Sequence, residues 1–278
     1  MKRKIEKELG EVIFSEFNEK VILIRHDVDN LLDIYGEGVS RRIKKVINHV
    51  FIGISSVNID VVSLLPARLN HLWEVLDLEK AYDAQTSYFF RTITTPSPEL
   101  YRVLLERKHE VAYHSDRNHT FKEFYKDLKR IENKLRVTIY GFTKHGYAPL
   151  RSGGPWVREK FIGYGLKAGL KYLAQGVGNP EWELPRLINK KLWYFGHHVT
   201  LKKSRMKEVE RYIKNRTLPL ILIHPEDLFI KGEREKFERV LSLGRAITII
   251  NLITLLEKII GEDEKIGKEL CINLPLRL

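Results

Sequence analysis

The stretch Val21-Ile22-Leu23-Ile24-Arg25-His26-Asp27-Val28-Asp29 decides how the rest of the chain is read. Four consecutive apolar residues, three of them β-branched, form a short run without alternation. That is the signature of a strand buried on both faces, as in a parallel sheet covered by helices. The run passes directly into two carboxylates separated by one residue. In parallel α/β architectures, chemically useful side chains collect where strands end.

Outward from this stretch the same pattern recurs. Residues 86–90, 111–114, 137–142, 171–173, 192–195, 218–223 and 246–250 read as further strands. Between them, helical spacing covers 70–82, 98–107, 120–135, 157–168, 205–215, 233–242 and 251–260. Ser97 before Pro98 is a good N-cap with proline at the first helical position. About eight β-α units predict the α/β class, and within it a seven- or eight-stranded, TIM-like (β/α) barrel. Residues 1–278 read as one domain, with an atypical insertion around 31–69.

Several strands lead into histidine. His114 follows the third strand, His145 the fourth, His197 and His198 the sixth, and His224 the seventh, while His26 sits at the end of the first. A barrel brings the C-terminal ends of its strands to one mouth, so these side chains are expected to converge there. One Asp and two His suffice for a three-ligand divalent-cation site that leaves a position open for water.

Composition sets the wider limits. The 278 residues carry 48 Lys+Arg against 36 Asp+Glu, a net charge of +12, and are 43% hydrophobic, enough for a sizeable core. The high charge content matches a thermophile. The basic balance favours anionic partners: acidic glycans, phosphorylated sugar carriers or an anionic membrane surface touched peripherally. Nucleic acid is disfavoured, because no recognition signature accompanies the charge. A single cysteine, Cys271, excludes a disulfide framework and a Cys-rich zinc site. No secretion signal or membrane span is legible, which predicts a cytoplasmic protein. Oligomeric state is not legible.

On these motifs the chain resembles the polysaccharide deacetylases of the NodB-homology group, carbohydrate esterase family 4. The resemblance runs from about residue 21 to about 260 and is poor over 31–69. Arg25-His26-Asp27-Val28-Asp29 resembles the family's first motif, which implies Asp27 as catalytic base and Asp29 as metal ligand. Ala84-Gln85-Thr86-Ser87-Tyr88-Phe89-Phe90 resembles its second strand. Lys108-His109-Glu110-Val111-Ala112-Tyr113-His114 resembles the motif that ends in a metal-binding histidine, implying that role for His114 and structural roles for His109 and Glu110. The family's second histidine, four residues on, is replaced by Asn118. His119 and His145 therefore compete as third ligand, with Asp116 a weaker substitute. Leu220-Ile221-Leu222-Ile223-His224-Pro225 resembles the last motif, implying His224 as general acid. Arg151, Trp156 and Trp182 fall where substrate contacts are expected, Arg151 also as a group that could orient Asp27.

The resemblance implies a metal-dependent hydrolase that removes an acyl group, an acetyl above all, from an N-acylated sugar or glycan precursor. The ligand set suits zinc best and also accepts cobalt, nickel or iron. Two other readings stay open: an allantoinase-like hydrolase of another non-peptide C–N bond, and an inactive glycan- or partner-binding barrel.

Overall fold

The computed structural model describes residues 2–29, 70–115, 120–145, 154–175, 184–196 and 198–274. The segment expected as an insertion, 31–69, lies outside them. The first helix α1 (Lys2–Phe17) precedes β1 (Val21–Val28). After 31–69 come α2 (Asn70–Ala81), β2 (Ser87–Phe90), α3 (Pro98–Glu106), β3 (Glu110–Ser115), α4 (Phe121–Leu135), β4 (Gly141–Lys144), α5 (Gly154–Ala168) and β5 (Tyr172–Ala174). A hairpin follows, β6 (Arg186–Ile188) and β7 (Leu192–Phe195), then β8 (Val199–Thr200), α6 (Met206–Asn215) and β9 (Leu220–Ile223). The chain ends on α7 (Glu233–Leu241), β10 (Arg245–Ile247), α8 (Ile249–Glu262), α9 (Glu264–Leu270) and β11 (Cys271–Ile272).

These strands form one curled sheet in the order β11-β6-β7-β5-β4-β3-β2-β1-β9-β8, with β10 also on β1. Every pairing is parallel except β6 with β7. Among the described residues no pair joins β8 to the opposite edge. The barrel expected from the sequence is therefore present, as a curled sheet that the described residues do not close by hydrogen bonds.

Strand alternation divides β1 between two environments. Val21 and Leu23 face the interior with Phe89, Ala112, Tyr172, Ala174, Trp193 and Phe195. Ile22, Ile24 and Val28 face outward under Leu72, Val75 and Leu76 of α2. All eight residues of β1 are buried, as the uninterrupted apolar run predicts. Helix α1 closes the floor of the barrel with Ile5, Leu9 and Ile13, spaced four apart along one face.

The floor also holds a polar knot. Glu110 accepts hydrogen bonds from the Ser87 hydroxyl (2.7 Å), the Tyr172 hydroxyl (2.8 Å) and the Ile250 amide at the start of α8 (3.2 Å). Tyr172 reaches it because residue 141 is glycine; a Cβ there would lie 1.8 Å from the tyrosine ring. Burial pushes the Glu110 carboxyl up to about 7, against the lowering effect of those hydrogen bonds.

Two strand expectations need correction. The apolar run 137–142 is strand only from Gly141. Arg136 ends α4 in a left-handed conformation (φ 57), and the Ile139 amide donates to the Glu132 carboxylate (3.0 Å), so residues 137–140 wrap the helix end instead. The run 246–250 is strand only to Ile247, because the Thr248 hydroxyl accepts from the Asn251 amide and starts α8. Ser97 does cap α3, accepting from Leu100 at 3.2 Å.

Candidate active site

Because β1 alternates, Arg25, Asp27 and Asp29 share its inner face and His26 does not. His26 was expected at the mouth and is instead outside the sheet. There its Nε2 lies 2.8 Å from Glu79, which also accepts from the Tyr88 hydroxyl at 2.6 Å. His109 joins this buried group, 3.7 Å from Glu79. The cluster ties α2 to β1, β2 and the loop before β3, and is buried on the side of the sheet opposite Asp27.

At the top of the interior, three donor atoms meet. Asp29 Oδ1 is 3.0 Å from His114 Nε2 and 2.9 Å from His145 Nδ1, and the two imidazole nitrogens are 3.1 Å apart. β3 delivers His114, and the residue just after β4 delivers His145, whose amide donates to Ser115 O. Burial opposes ionisation of Asp29, yet His114 and His145 hold its carboxyl well below the usual range. Two imidazole nitrogens and one carboxylate oxygen, all aimed at one point, are a donor set suited to a divalent cation. His114 is sealed, while Asp29 and His145 keep 19% and 26% of their side-chain surface, so the point is open on one side.

Two further groups border this point. Asp27 lies 3.9 Å from His114 and is gripped by Arg25, whose Nε and Nη2 donate to its two oxygens at 2.7 and 2.5 Å. The third corner of the guanidinium donates to the carbonyl of Ala174 on β5. Burial raises the Asp27 carboxyl, but Arg25 and His114 bring it below its ordinary value. His224, just beyond β9, is 3.6 Å from Asp29 and turns its other nitrogen to Asp227 at 3.5 Å. Lys202 in turn pairs with Asp227 at 2.6 Å. Burial lowers the imidazole, but Asp227, Asp29 and Asp27 outweigh it and raise it to about 9.

The loop after β2 fixes the end of β1. Arg91 Nη1 donates to Asp29 O (3.0 Å) and the Thr94 hydroxyl to Val28 O (2.7 Å). These bonds hold the backbone on both sides of the Asp29 side chain.

Of the residues singled out in the sequence, Asp27, Asp29, His114, His145 and His224 come together. His119, Asp116, Arg151, Trp182 and His197 lie outside the described residues, as does the side chain of Trp156. Sequence reasoning passed over Arg25 and Asp227. Both had a signal: a residue two before Asp27 on a strand shares its face, and one three after His224 in a short helical turn returns to its side.

No protein-family model matches the sequence, and no curated protein does. Solved structures do match. A probable polysaccharide deacetylase from Pseudomonas aeruginosa PAO1 aligns with a TM-score of 0.54 at 10% identity, over 80% of this chain and 83% of that one. A protein of Mycobacterium smegmatis given the same assignment aligns at 0.51 and 12% identity, over 80% and 82%. At such identities the likeness is one of fold. The chain has, in divergent sequence, the NodB-type (β/α)-barrel fold of the polysaccharide deacetylases.

Proposed function

We propose that this protein is a metal-dependent hydrolase that removes an acyl group, most simply acetyl, from the nitrogen of a sugar or glycan precursor. The observation that carries the reading is the meeting of Asp29, His114 and His145 within 3.1 Å of one another, beside a carboxylate clamped by arginine. A divalent cation held by those three, zinc by ligand type, would polarise the acyl carbonyl and lower the cost of the developing oxyanion.

The remaining work falls to the chain's own residues. Asp27 takes a proton from the attacking water; the Arg25 clamp keeps it ionised and pointed upward. His224 carries a proton whose retention Asp227, the foremost of the groups raising its pKa, favours. It gives that proton to the departing nitrogen, which could not leave as an amide anion. Arg151, Trp156 and Trp182 remain our candidates for sugar contacts.

Metal analysis of purified protein, together with acetate release from N-acetylglucosamine oligomers, tests the proposal. Bound divalent metal and metal-dependent acetate release are expected. Protein that takes up no divalent metal, or an Asp29→Ala variant with full activity, would refute it. Ammonia or a ring-opened product in place of acetate would shift the reading to another C–N bond.

A further inference from the structure

The net charge is not evenly spread. Residues 121–171 hold twelve Lys and Arg against four Asp and Glu, so +8 of the total +12 lies in this one stretch. The stretch comprises α4, β4 and α5, the part of the barrel that follows His114 and contains His145. Along α4, Lys122, Lys126, Arg130 and Lys134 are all exposed and spaced four apart, forming one stripe. Like charges at that spacing repel and weaken the helix, so the stripe is not explained by helix stability. Glu123 and Asp127 flank it, but Glu123 is engaged in the cap with Thr120 at 2.8 Å. Lys122 and Lys126 have no carboxylate partner among the described residues.

Beside the stripe, aromatic rings fill the seam between α4 and α5. Phe121 and Tyr164 are 5.7 Å apart, with Lys167 5.8 Å from the first ring and Lys160 5.6 Å from the second. Tyr125 lies under Lys129 at 5.3 Å and remains 40% exposed. Sugar C–H faces stack on such rings, while lysine heads pair with carboxylates. Among the described residues of α4 and α5 the large exposed apolar side chain is a tyrosine, Tyr125, which suits a hydrated partner better than a lipid interior.

We infer that the outer face of α4 and α5 is a docking track for an anionic glycan, and that the substrate is a carboxylated or otherwise acidic polysaccharide rather than a neutral one. The inference rests on the function proposed above and narrows its substrate class. Helix α4 begins six residues after Ser115, the end of the strand that carries His114, so its N-terminus opens at the mouth.

The test uses the full-length protein with de-esterified polygalacturonate and neutral dextran as probes, in fluorescence titrations at low and high salt. Binding to the polyacid, loss of that binding in high salt and none to dextran are expected. The double variant Lys122→Glu/Lys126→Glu should bind the polyacid roughly tenfold or more weakly. Its metal content and its activity on a small neutral N-acetyl oligomer should match wild type. Equal binding of both polymers, an unchanged variant, or preference for phosphatidylglycerol vesicles over the polyacid would overturn the track. Wild-type protein without metal or acetate release would instead refute the proposed function and leave the binding result standing.

Discussion

Arg25 holds both carboxylate oxygens of Asp27 from two positions upstream on the same strand, and its remaining corner is anchored to Ala174 O across the barrel. The pair is almost fully buried. Removing one member of such a pair leaves a charge without compensation, which costs about 3–5 kcal/mol.

Arg25→Gln should therefore destabilise the fold by that order and raise the Asp27 carboxyl toward, or past, its ordinary range. A depressed acid contributes stability above its unfolded value near 3.8, and loses it as pH falls through the folded value. In the variant, acid unfolding should begin at higher pH. If Asp27 is the base, the acid limb of the kcat/KM profile should move upward in pH too. Urea melts across pH 3–7 and a pH–rate series check both; an unmoved acid limb with normal turnover would remove Asp27 from catalysis.

The third ligand gives a sharper choice. His145 lies 2.9 Å from Asp29, so His145→Ala should lower divalent-metal affinity by more than about a hundredfold. His119→Ala should change it little. Competition with a chelating dye reads both. The reverse ranking would make His119 the ligand and His145 a neighbour. Arg91→Lys provides a milder companion, since it loosens the backbone of Asp29 without removing a donor.

How far the sequence disclosed this arrangement depends on which interactions are local. The apolar run before Asp27 is self-reporting, because burial on both faces demands it, and so is the Ser97 cap. Period two already separates His26 from Asp27, so the histidine's place outside the sheet was legible and went unused. What local pattern could not show is pairing at long range: Arg25 with Ala174 O, or Glu79 with His26 and His109. Helix α1 escapes a sequence reading because its three buried apolar positions, Ile5, Leu9 and Ile13, are diluted by charge, and their meaning appears only once there is a barrel floor to cover. The β6–β7 hairpin turns through Asn189 and Lys190, both at positive φ (49° and 55°), without the glycine that usually announces such a turn.

Asp227 should set the alkaline edge of activity. His224 can protonate a leaving amine only while it carries a proton, so the rate falls as pH rises through its pKa. That value is raised to about 9, with Asp227 the foremost of the groups raising it. Asp227→Asn should bring the alkaline limb down toward the ordinary value of 6.5, sparing activity at lower pH. Lys202→Met removes the partner of Asp227 without touching His224, and should move the limb far less. A limb that stays near 9 in Asp227→Asn would mean that another group titrates there.

Glu110 makes a prediction about stability with no bearing on catalysis. Its folded pKa, about 7, lies above the unfolded value of 4.5. Between those values the folded protein binds a proton that the unfolded chain has lost, so stability falls as pH rises from 4.5 to 7. A gap of that size corresponds to about 3 kcal/mol. Glu110→Gln keeps one acceptor oxygen for Ser87 and the Ile250 amide at the start of α8, turns its amide N–H toward the Tyr172 oxygen, and cannot ionise. The stability difference between variant and wild type should therefore grow in the variant's favour across that window and level off above it. Denaturant melts of both proteins at pH 4.5, 6 and 8 measure it. A constant difference across the three would show that Glu110 stays ionised in the folded protein, and that its hydrogen bonds outweigh its burial.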